Sequence, residues 1–210
     1  MNKMRLIAVC FFVLCSLPIK AQSISSATVD QYKQILTWHQ RDFESCSNQM
    51  TQWGYEYNRG NTINMFTVTM HQFMRMTDVD TVGAVLSEME GVVNGVSGIY
   101  SSVSPSKTFS LVVKAAEMQQ KLAAERGLTK YVCMIKGDVK NKRPKTHEEL
   151  MQVLAEESSE TVRMFMEMWK SEDGKQAMTI TYDNKRYGKK KPREDACAEL
   201  TLGYSITPER

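Results

Sequence analysis

Residues 81–103, TVGAVLSEMEGVVNGVSGIYSSV, decide how the whole chain is read. Val82, Val85, Met89, Val92, Val96, Ile99 and Val103 fall three or four residues apart, the spacing that lines one side of an α-helix. Gly83, Gly91, Gly95 and Gly98 interrupt the stretch, each at a cost of about 1 kcal/mol relative to alanine in a helix. The segment therefore reads as a helix packed closely against a neighbour, with Gly91 and Gly95 on one face as the point of approach. Glu88, Glu90 and Asn94 exclude a membrane span.

The flanking segments repeat the spacing. Upstream, Tyr32, Leu36, His39, Phe43, Cys46, Met50, Trp53 and Tyr57 form a seam along one long helix that stops at Asn58–Asn61, and Ile63, Phe66, Met70 and Phe73 form a shorter stripe. Downstream, Pro105 breaks the chain, and Leu111, Ala115, Met118 and Leu122 mark a fourth helix ending at Arg126-Gly127. The expected architecture is mainly α, an antiparallel helical bundle with coiled-coil-like seams over residues 22–127.

After Gly127 the pattern changes. Tyr131–Ile135 reads as a strand, Thr146 with Glu149 three residues on is a capping box, and the stripe Leu150, Leu154, Thr161, Phe165, Met168 carries that helix to Asp173-Gly174. Met178, Ile180, Tyr182 and then Ala198 to Ile206 alternate with period two, predicting two more strands. Residues 128–210 are thus expected to form a small α+β portion.

The first 21 residues carry Lys3 and Arg5, an apolar run from Leu6 to Leu17, and Ala21 at the end, the pattern of a cleavable secretory leader. The apolar run is too short to cross a bilayer. The expected location is extracytoplasmic, periplasmic or secreted, with cleavage near Ala21. The chain holds 27 basic and 24 acidic residues; the leader takes three basic residues and no acid, so the mature chain is formally neutral and is no general polyanion binder.

Three cysteines remain, Cys46, Cys133 and Cys197, which allow one disulfide among them and exclude a disulfide framework. Lys185, Arg186, Lys189, Lys190, Lys191 and Arg193 form a candidate anion-binding run between the last two strands, joined by Lys140, Lys142, Arg143 and Lys145 in the same half. Met164, Met166 and Met168 raise copper(I) binding, but on a helix a spacing of two scatters them over different faces and favours core packing.

No catalytic, cofactor-binding or metal-ligating set emerges. His39 and Cys46 share the first seam as ordinary core residues; His147 lacks a second histidine four residues on, where Met151 stands. The acidic residues Glu156, Glu157 and Glu160 accompany no aromatic-lined cleft. The chain is expected to be a non-enzymatic interaction or assembly protein with a protein partner or a second copy of itself, Trp38, Trp53 and Tyr57 being the candidate contacts. In architecture and address this resembles helical accessory subunits of envelope-spanning secretion or conjugation machines. The alternatives are a ligand-binding or enzymatic module acting on envelope polymers, which needs a pocket of convergent polar groups, and a basic-loop module for nucleic acid or anionic lipid.

Overall fold

The computed structural model describes residues 27–65, 67–76, 80–139, 143–185 and 197–206. The leader reading of residues 1–21 and most of the basic run, Arg186 and Lys189 to Arg193, lie outside the described residues, as do Phe66, Lys140 and Lys142.

The architecture corrects the helical-bundle and coiled-coil expectation: the chain is mainly antiparallel β. Its helices are α1 (Ala27–Ile35), α2 (Phe43–Gln52), α3 (Pro105–Glu125) and α4 (His147–Glu156). Its strands are β1 (Glu56–Tyr57), β2 (Ile63–Met65), β3 (Val68–Met76), β4 (Asp80–Met89), β5 (Val92–Ser102), β6 (Lys130–Gly137), β7 (Val162–Lys170), β8 (Gln176–Asn184) and β9 (Ala198–Ile206). They form one sheet in the order β1-β3-β4-β5-β9-β8-β7-β6, with β2 also on β3. Two meanders, β3-β4-β5 and β6 to β9, join where β5 pairs with β9, so strands from both halves of the sequence share one sheet.

The decisive segment is a hairpin. Glu90 and Gly91 both take positive φ, 55° and 82°, the two-residue turn whose twist suits antiparallel strands. β-branched residues crowd both arms, and such residues pack better on a pleated sheet than in a helix. Gly98 makes room for a helix instead: the ring of Tyr32 from α1 lies against it, where a Cβ would stand, and the Tyr32 hydroxyl donates to the carbonyl of Ile99.

The long N-terminal helix is likewise replaced by two short ones. Gln40 at φ 62° turns the chain between them, and Asp42 caps α2 by accepting from the Ser45 amide at 2.7 Å. Of the next stripe, Ile63 lies in β2 and Met70 and Phe73 in β3, and residues 162–170, expected as the end of a helix, form β7. The Pro105 helix and the strands at 131–135, 178–182 and 198–206 occur as expected. Thr146 caps α4 through the Glu149 amide at 3.2 Å, while the Glu149 carboxylate accepts from the Lys145 amide at 2.7 Å.

Helix α3 lies on one face of the sheet against β8, β9 and β5, and α1 and α4 flank it. That face supplies Phe73, Val82, Leu86, Tyr100, Leu200, Leu202, Tyr182, Ile180 and Phe165, all at most 1% exposed. Each such side chain contributes about 1.5–3 kcal/mol through burial. The opposite face carries Thr179, Thr181, Thr201, Ser97 and Ser205 at its centre, with methionines towards both margins.

Candidate ligand-binding groove

A groove of about 510 Å3 opens at the end of the sheet where the β4–β5 and β7–β8 turns meet, lined by His39, Gln40, Met89, Val92, Val93, Asn94, Asp173, Lys175, Gln176 and Ile206. Three local features build it. The first is a β-bulge: Ser87 opposes Gly95 while Glu88 opposes Val93, leaving Asn94 as the extra residue. Bulges re-aim a side chain, and here the Asn94 Oδ1 is buried without a hydrogen-bond partner. The second is the His39–Arg41 segment, stitched to β5 by Gln40 N–H donating to Val93 O at 2.7 Å and Val93 N–H donating to Arg41 O at 2.9 Å. Gln40 holds a left-handed conformation that non-glycine residues adopt at a cost.

The third is the β7–β8 turn. Asp173 Oδ1 accepts from Ser171 Oγ at 2.5 Å and from the Lys175 amide at 2.9 Å, and these bonds hold its carboxyl below the usual carboxylate range. Gln176 Oε1 accepts from the Tyr204 hydroxyl at 3.0 Å. The Arg126 guanidinium sits 3.9 Å above the Tyr204 ring and donates to Leu36 O at 2.5 Å. His39 meets Tyr204 edge-on at 5.8 Å.

Burial, and then the charge of Arg126, lower the His39 pKa, so the groove presents a neutral imidazole at pH 7. The fold thus favours the uncharged ring: its contribution to stability is present above the ordinary histidine pKa of about 6.5 and is lost as pH falls through that value and the folded one. The melting temperature is expected to drop more between pH 7 and pH 5 in the native protein than in a His39→Gln variant. Equal drops would remove the effect.

A second polar cluster lies under α4. His147 Nδ1 donates to Glu167 Oε1 at 2.6 Å, and both residues are buried, Glu167 completely. Glu167 Oε2 and the Trp169 indole N–H have no hydrogen-bond partner. Tyr131 meets Trp169 edge-on at 4.8 Å, and Cys133 pairs with Glu167 across β6 and β7. Burial, with the Glu167 carboxylate adding to it, pushes the Cys133 thiol up to about 11. That disfavours the thiolate a nucleophile requires. At the other margin Tyr57 Oη shares a 2.7 Å hydrogen bond with His71 Nδ1, whose Nε2 lies 3.4 Å from Glu88 Oε2.

The candidate partner contacts face inward or half inward. Trp38 is 3% exposed and stacks on the half-buried Trp53 at 5.3 Å, while Tyr57 stacks on Phe73 at 5.1 Å. Lys185, at the described edge of the basic run, pairs with Glu199 at 2.6 Å. Cys46, Cys133 and Cys197 are free thiols on α2, on β6 and just before β9. Among the described residues no three His, Cys, Asp or Glu side chains gather to hold a metal ion, and no helix is long and apolar enough to cross a membrane.

Sequence reasoning misses the groove residues. Their only local signals are Glu90-Gly91 and Asp173-Gly174, both turn dipeptides, the second of which reads equally well as a helix stop. No family model, curated protein or solved structure matches the chain.

Proposed function

We propose that this chain is an extracytoplasmic binding protein whose groove takes a polyhydroxylated ligand, such as a segment of an envelope polysaccharide. The observation that carries the reading is the buried, unpartnered Asn94 Oδ1 on a bulge in the groove wall. A buried acceptor left unpaired costs about 1–3 kcal/mol, which a ligand donor would recover once the Asn94 amide turns toward the groove. Gln40, Asn94 and Gln176 each pair an acceptor with donors, and vicinal hydroxyls offer the same combination. Asp173 adds a carboxylate, His39 a neutral ring nitrogen, and Val92, Val93 and Ile206 an apolar surface for the C–H face of a sugar. The leader-like N-terminus supplies the address.

The test is an amide NMR titration of the mature protein with soluble fragments of peptidoglycan and of envelope polysaccharides. Shifts confined to His39–Gln40, Val92–Asn94 and Asp173–Gln176 are expected from one of them, with Asn94→Ala weakening that ligand about tenfold. A groove unmoved by every fragment would overturn the reading. Stoichiometric recovery of one envelope protein by in-cell cross-linking, with the groove unmoved, would replace it by the assembly role.

A further inference from the structure

The methionines of β7 acquire a new meaning on a strand. Met164, Met166 and Met168 are two residues apart, so all three project from the same face, the one that α3 does not cover. Met134 of β6 joins them: it lies directly opposite Met166, with Val132 opposite Met168 and Lys136 opposite Met164. All four methionines are half-buried, and Val132 is 47% exposed. Large apolar side chains are out of place on a sheet face whose next strand offers Thr179, Thr181 and Asp183.

We infer that this ladder is a binding site for a soft monovalent cation, copper(I), held by the thioethers of Met134, Met166 and a flanking methionine of β7. Directly opposed residues stand about 4.5–5.5 Å apart between Cα atoms, and second neighbours along a strand about 6.5–7 Å. Methionine has three rotatable bonds, enough for sulfurs at these spacings to converge on one ion. Thioethers are poor ligands for hard cations and select copper(I). Lys136 and Asp183 flank Met164 on either side, while Lys130 and Lys170 follow beyond Met168, so Met164 and Met168 are both open as the third donor beside Met134 and Met166. None of these residues lines the groove, so the inference is independent of the function proposed above.

The test uses the mature protein labelled with 13C at the methionine ε-methyls, titrated with copper(I) anaerobically against bathocuproine disulfonate. The expected result is that the Met134 and Met166 methyls and that of a flanking β7 methionine shift together, while buried Met50 and Met178 stay put. Leucine conserves volume closely, so Met134→Leu with Met166→Leu should preserve the fold and weaken binding by more than the roughly tenfold that even an outer-shell loss costs a metal site. Met74→Leu, on the far margin of the same face, should leave the affinity unchanged. Stationary ladder methyls would overturn the inference, whether the chelator keeps all the copper or a cysteine takes it. A double leucine variant that binds as tightly as the native protein would do the same.

Discussion

His147→Ala is expected to destabilise the protein by about 3–5 kcal/mol, read as a lower urea midpoint with an unchanged slope. The reason lies in what remains. Glu167 has no exposed surface, its Oε2 already lacks a partner, and its Oε1 depends on His147 Nδ1 at 2.6 Å. Removing the imidazole takes away the hydrogen bond to Oε1 and leaves a fully buried carboxylate with only the Tyr131 hydroxyl close by, which costs far more than the pair itself contributes. Replacing both residues, His147→Leu with Glu167→Met, should therefore cost less than His147→Ala alone. A single variant that loses under about 1 kcal/mol would show that water reaches the carboxylate and that the pair is not sealed. The cluster also bears on the methionine ladder, because Glu167 stands between Met166 and Met168 with its side chain on the other face of β7. Its loss should loosen both faces of that strand.

How much of this can be read from the sequence depends on how local each signal is. The Pro105–Glu125 helix and the start of α4 are legible because Pro105, the Thr146 capping box and the Arg126-Gly127 stop act within a few residues. β8 and β9 are legible because one face is buried and the other is not, which writes a period of two. β4 lacks that signature: Val82, Gly83 and Ala84 are buried in succession, so the period of two disappears and steps of three and four arise among the valines by chance. Only Glu90-Gly91 marks the hairpin, and only Tyr32, far away in sequence, explains Gly98.

The groove is not legible for a stronger reason. Its lining comes from the α1–α2 connection, the β4–β5 hairpin, the β7–β8 turn and the end of β9, brought together by a sheet several of whose strands carry helix-like spacing. A bulge residue such as Asn94 breaks the very periodicity by which strands are recognised. The methionine ladder is the converse case: the spacing of Met164, Met166 and Met168 is visible, and the wrong period turns alignment on one face into dispersion over several.

Trp38→Ala separates the core role of this side chain from the partner contact expected of it. The indole is 3% exposed, lies within the hydrophobic core and stacks on Trp53 with planes 21° apart. Truncating a large buried aromatic typically costs about 3–5 kcal/mol, from lost transfer energy and the cavity left behind. The isolated protein should therefore lose that much in chemical unfolding, with no partner present. Trp53→Ala should cost less, since Trp53 is only partly buried and gives up less contact area on truncation. A partner contact behaves in the opposite way: an aromatic held at the surface for docking can be removed with the stability of the free chain nearly unchanged. Unfolding curves for Trp38→Ala that overlay those of the native protein would return this residue to the surface role, and with it the idea that the N-terminal helices present an apolar face. The stacked geometry argues for the first outcome, because Trp38, buried in the core and covered by the Trp53 ring, has almost no surface left to offer.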